Sequence, residues 1–156
     1  DQLHEECRRH LYDTGSINTG TQNEVTGVIK RIRDNKAVAD AAGLELWAYE
    51  GGQHLVGVLG NENDQALTDI FLAYNRSGLA GDLEAEMYDV WRQEGGRNFH
   101  RFNSVGPFTK FGSWASQERQ DEPNAKQDVS VALATGANAP QGRSWDRFEF
   151  SLGGAF

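Results

Sequence analysis

Leu44–Leu55, LELWAYEGGQHL, reads as a buried strand running into a glycine turn. Leu44 to Tyr49 is mostly apolar or aromatic, Glu50 ends the run, and Gly51–Gly52 turns the chain. A short helix-to-strand connection followed by a nearly continuous apolar strand is typical of parallel α/β sheets, whose strands are covered on both faces. Glu50 is thus a carboxylate presented at a strand end. A structural carboxylate that caps the turn or pairs with an arginine is the other reading of the same residue.

Working outward, Leu3, Cys7 and Leu11 recur every four residues, as on one stripe of a short helix over Leu3–Tyr12. Asp13–Thr21 is rich in Gly, Ser, Thr and Asn and reads as a loop. A longer helix is predicted from about Asn23 to Ala42, on the spacing of Val25, Val28, Ile29 and Ile32, with Gly43 as its stop. After the strand and a polar stretch, Gln65–Asn75 and Leu79–Gln93 are predicted helices. Their stripes are Leu67, Ile70, Phe71, Tyr74 and Leu83, Met87, Val90, Trp91. Asn98–Val105 reads as a second strand, and Gly106–Ser116 as an aromatic, glycine-containing loop. The charged segment Gln117–Lys126, with Pro123, marks a boundary between a main unit (1–120) and a C-terminal segment (121–156). There Val129, Val131, Leu133 and then Phe148, Phe150, Leu152 alternate, which suggests antiparallel strands. The alanines 132, 134 and 137 keep a helix open for the first run.

The chain of 156 residues suits one main domain with a substantial core, and its formal net charge of −8 disfavours phosphate backbones and anionic membranes as partners. Neither nucleic acid nor a membrane is therefore an expected partner, and no apolar run is long enough to span a bilayer. The lone Cys7 has no partner for an internal disulfide. No signal peptide is read at the start, and an opening Asp suits a mature product, a fragment or part of something longer.

The order helix, strand with terminal Glu, loop, helices, strand, aromatic loop looks like the last quarter of a (β/α)8 barrel. Ala48–Gly57, AYEGGQHLVG, and Phe102–Ser116, FNSVGPFTKFGSWAS, resemble a group of secreted bacterial proteins with glycosidase-like barrels. Several of these carry cellulose-binding or carbohydrate-active descriptions. The resemblance spans about Asn23–Glu118, and the sequence after Asp121 departs from it. It implies an α/β fold made of the last βα units of a (β/α)8-type barrel, followed by a short β-rich C-terminal segment. It also implies a secreted or periplasmic protein acting on a polysaccharide or oligosaccharide. Glu50 would occupy the nucleophile position, Trp114 would resemble the aromatic platform under the sugar, and His54, His100 and Asn103 would lie near the same strand ends to bond hydroxyls.

A retaining glycosidase needs two carboxyl groups about 5–5.5 Å apart, one ionised for attack and one holding a proton. No second carboxylate has a context comparable to Glu50: Glu45 has the opposite strand parity, and Glu62 and Asp64 lie in a loop. Sugars also need flat apolar surfaces, for which Trp47, Trp91, Trp114 and Trp145 are candidates. The core is the commoner place for Trp47 and Trp91, and structural roles for His54 and His100. A complete barrel needs about 250 residues, so the rest must come in cis or from another chain if it exists. Otherwise the chain is a non-catalytic carbohydrate-binding or self-assembling module. No metal or cofactor is expected. His4 and Cys7 share a helical face, but His10 falls off it and no fourth ligand is evident. Asn75-Arg76-Ser77 matches a glycosylation sequon.

Overall fold

The computed structural model describes residues 2–12, 27–135 and 150–151. The architecture is mixed α/β with two small parallel sheets. Two helices lead: α1 (Gln2–Tyr12) and α2 (Val28–Ala41). The predicted start of the second helix, Asn23–Thr26, lies outside the described residues. Gly43, at φ +68°, closes α2 as expected, with Leu44 N donating to the Ala39 carbonyl at 2.9 Å. β1 (Leu46–Gly51) follows. The helices α3 (Gln65–Asn75) and α4 (Gly78–Gln93) then cross over to β2 (Gly96–Arg101). Asp64 starts α3 by accepting from Leu67 N at 3.1 Å.

β1 and β2 pair in parallel, with Leu46 opposite Gly96, Ala48 opposite Phe99 and Gly51 opposite Arg101. The parallel α/β reading of LELWAYEGGQHL therefore holds. Its expected burial holds on one face only. Leu46, Ala48 and Phe99 pack into a core with Leu11, Ile32, Tyr88, Trp91 and Val129. Trp47 and Tyr49 point the other way and are 55% and 83% exposed. Trp91 is a core residue as expected; Trp47 is not. The rings of Tyr88 and Trp91 meet Phe99 edge-on, with centroids 5.0 and 5.7 Å away.

The predicted strand Asn98–Val105 is broken at Phe102. Its second part, β3 (Asn103–Val105), pairs in parallel with β4 (Ala115–Gln117) in a sheet of its own. The β-rich reading of the C-terminal segment needs correction. Val129, Val131 and Leu133 lie in a helix, α5 (Ala125–Thr135). Val129 and Leu133 stand one helical turn apart and are both buried, while Val131 is exposed. Asn124 caps the helix, its Oδ1 accepting from Lys126 N at 3.0 Å. Cap, alanines and the four-residue repeat together outweigh the two-residue alternation. Of the second predicted run, the described part is β5 (Phe150–Ser151), which joins β2 in parallel rather than antiparallel fashion. The sheet order is β1-β2-β5, with β1 at an edge.

α5 packs on α4 where Gly81 faces Ala125: a Cβ at residue 81 would stand 2.6 Å from that of Ala125. Gly81→Val should therefore push the two helices apart and cost about 1–3 kcal/mol of stability, measured by urea unfolding. An unchanged midpoint would contradict this packing.

Candidate functional site

The C-terminal ends of β1 and β2 lie side by side, and both strands release loops there. Ligand sites of parallel sheets form at such ends. Gly51 is required by packing, because a Cβ there would stand 2.2 Å from the Phe99 ring. Gly52 turns the chain at φ +141°, a conformation L side chains rarely adopt. Glu50 precedes this turn and is exposed. Gln53 and His54 follow it.

His54 and Trp114 come together beyond this turn. Their ring centroids are 3.8 Å apart at an interplanar angle of 40°. Phe102, unmarked as a site residue in the sequence, joins them at 5.6 Å from Trp114. The indole Nε1 donates to the Phe111 carbonyl at 3.2 Å and packs over Gly112. His54 stays exposed, and its partial desolvation lowers its pKa, because an imidazolium would lose some hydration there.

The other predicted residues are more dispersed. His100 is half-buried in β2, opposite Ser151 in register. Asn103 shapes a turn, its Oδ1 accepting from Val105 N at 3.3 Å. Trp47 Nε1 donates to Glu45 Oε2 at 3.1 Å on the exposed face. A cavity of about 710 Å³ opens between α1, α4 and residues 52–56; His54 borders it, but neither Glu50 nor Trp114 does. His4 of α1 shares a 3.1 Å hydrogen bond with the Tyr74 hydroxyl, and burial pushes the Cys7 thiol up to about 11. The sequon residue Asn75 is fully buried with its amide engaged on both sides, so it is not an acceptor in the folded chain.

Beneath the strand ends lies a polar network that the sequence reading missed. Arg101, 1% exposed, forms an ion pair with Glu84 of α4. It also donates to the Tyr88 hydroxyl at 3.2 Å and to the carbonyls of Asn103 (3.2 Å) and Trp114 (3.4 Å). The Tyr88 hydroxyl in turn donates to Glu84 Oε1 at 2.7 Å. Lys126, fully buried, donates from Nζ to Asn75 Oδ1 (2.9 Å) and the Ser113 carbonyl (3.1 Å), 4.3 Å from the Phe108 ring centroid. A signal for Arg101 was present: it has the strand parity of Phe99, the inward residue of β2.

Comparison of the chain with protein-family models, with curated proteins and with solved structures gives no match.

Burial, reinforced by the nearby Arg101 charge, lowers the Lys126 pKa from 10.5 to about 7. Between these values the unfolded chain holds a proton that the folded chain has released. Stability should therefore rise with pH from about 7 to 10.5 and carry the full penalty of the buried charge below that range. The difference in unfolding free energy between wild type and Lys126→Met, followed by urea titration at several pH values, should show this slope. A difference independent of pH would mean that Lys126 keeps an ordinary pKa.

Proposed function

We propose that this chain is the C-terminal part of a (β/α)8-type, glycoside hydrolase-like protein acting on a polysaccharide or oligosaccharide outside the cytoplasm. Glu50 is the nucleophile, Trp114 with His54 is the sugar contact, and the rest of the barrel, in cis or in another chain, supplies the proton donor. One observation carries this reading: among the described residues, the β1-β2 sheet is parallel but has its core on one face alone. Parallel sheets are normally covered on both faces. Here the other face offers Trp47 and Tyr49 to solvent, and among the described residues β1 has a strand beside it on one side only. An aromatic face and an open edge are what the inner wall of an interrupted barrel would present.

The need for an outside proton donor has its own support. The buried carboxylate of Glu84 belongs to the side of the sheet that carries α4, where Arg101 and the Tyr88 hydroxyl hold its Oε1. A second reading, binding without turnover, is favoured by the exposure of Glu50, since a nucleophile works in a site that excludes water.

In the whole protein, Glu50→Gln should abolish hydrolysis of accepted glycans while leaving their binding in place. Unchanged hydrolysis would end the nucleophile assignment. Calorimetry of the chain against a glycan panel, with sedimentation, tests the second reading; no heat together with a monomeric profile would remove it.

A further inference from the structure

Gln53 lies three residues after Glu50 and directly before His54. Its Nε2 donates to Asn75 Oδ1 at 2.6 Å and to the Ser113 carbonyl at 2.9 Å, while its Oε1 accepts from Leu55 N at 2.8 Å. Lys126 Nζ reaches the same two acceptors from α5. The next carbonyl in the chain, that of Trp114, accepts from Arg101. Two consecutive carbonyls, at 113 and 114, are thus held by side chains from three separate elements. Fixing both leaves the peptide unit between Ser113 and Trp114 little freedom to rotate, and so fixes where the indole stands.

We propose that Gln53, together with Lys126, is a positioning residue for the Trp114 platform. It pins the loop that follows Glu50 to the loop that carries Trp114, and thereby sets the His54–Trp114 stack and the place of a sugar relative to the strand end. This rests on the reading of Trp114 as a sugar contact. The physical case is that of any two loops at a site. Untied, each opens locally at little cost, and a small misplacement of a contact group weakens the complex. Gln53 suits the task because its amide satisfies a backbone N–H, a side-chain oxygen and a carbonyl at once. An isosteric carboxylate could not donate to the last two.

The test uses Gln53→Glu, Lys126→Met, Trp114→Ala and the Gln53→Glu/Trp114→Ala double variant. In Gln53→Glu the carboxylate can still accept from Leu55 N but loses both donations, to Asn75 Oδ1 and to the Ser113 carbonyl. Two readouts are taken. The first is the NMR shift of the His54 ring protons, displaced by the ring current of the stacked indole. The second is cellotetraose affinity, followed by calorimetry.

In Gln53→Glu the His54 signals should move toward those of a free histidine. Affinity should fall about tenfold, the equivalent of one hydrogen bond. The same substitution should have no further effect on affinity once Trp114 is alanine. His54 signals at their wild-type positions in both Gln53→Glu and Lys126→Met would overturn the proposal. So would an affinity loss that persists undiminished without Trp114, since that marks a general structural effect. If the His54 signals move but Trp114→Ala binds cellotetraose as wild type does, or wild type does not bind it, the sugar-contact reading fails while the positioning of Trp114 stands.

Discussion

The structure depends on the burial of Arg101. Placing a guanidinium in a protein interior costs several kcal/mol unless a carboxylate and further acceptors surround it. The chain meets this demand with Glu84 as counter-charge, the Tyr88 hydroxyl, and the carbonyls of Asn103 and Trp114. These partners come from α4, from β3 and from the segment that leads into β4. The guanidinium therefore joins the first sheet to the helix behind it and to the second sheet beside it. Burial pulls the pKa of Arg101 down, and the contact with Glu84 acts in the opposite sense by favouring the charged form. Losing Glu84 would leave a buried charge uncompensated, which is far costlier than never having had the pair.

Lys126 is the counterpart in a different chemical setting. Its described contacts are neutral: an amide oxygen, a carbonyl and the face of Phe108. Arg101 is near enough to disfavour its charge further. A primary amine that gives up its proton can still donate two hydrogen bonds, so the carbonyl of Ser113 stays held in either state. The two cations thus differ in what they contribute. Arg101 is a permanent charge whose pairing fixes how the sheets and α4 meet. Lys126 is a donor whose charge is a liability that the fold tolerates for the sake of the geometry.

The fold was legible where one period dominated. α3 and α4 keep close to their predicted bounds, although Ile70 of the predicted α3 stripe is 55% exposed and Thr68 and Asn75 are buried with Tyr74, and LELWAYEGGQHL gave a parallel strand because it stands between a helix stop and a helical crossover. Reading failed where two periods competed: Val129-Ser130-Val131-Ala132-Leu133 fits both, and the choice lay with Asn124 as cap. The strand's burial was misjudged because composition does not report whether a second layer exists. The glycine turn after β1 was legible from its local motif, and the structure brings His54 and Trp114 together beyond it. The network of Glu84, Arg101 and Lys126 was not, since it joins α4, β2 and α5, and no local pattern announces a charge paired across that distance. Tyr88, four residues after Glu84 on the same helix, was the nearest local hint.

The parities of β1 and β2 bear on how the proposed barrel would be completed. In β2, Phe99 and Arg101 face the helices; in β1, Leu46 and Ala48 do. Trp47 and Tyr49 of β1 therefore share the opposite face with Asn98 and His100 of β2. On the barrel reading that face is the lumen, where large side chains from alternate strands stack in layers. A half-exposed Trp47 that donates to its neighbour Glu45 is then a lumen residue, and His100 of β2 lies on the same face, opposite Ser151 of β5. A free-standing binding module would use the same face differently, with Trp47 as a flat apolar contact for a sugar and the exposed Glu45–Arg97 ion pair bringing charge to the start of β1. The two readings thus differ in what meets Trp47 and Tyr49: further strands of a barrel in one, a sugar in the other.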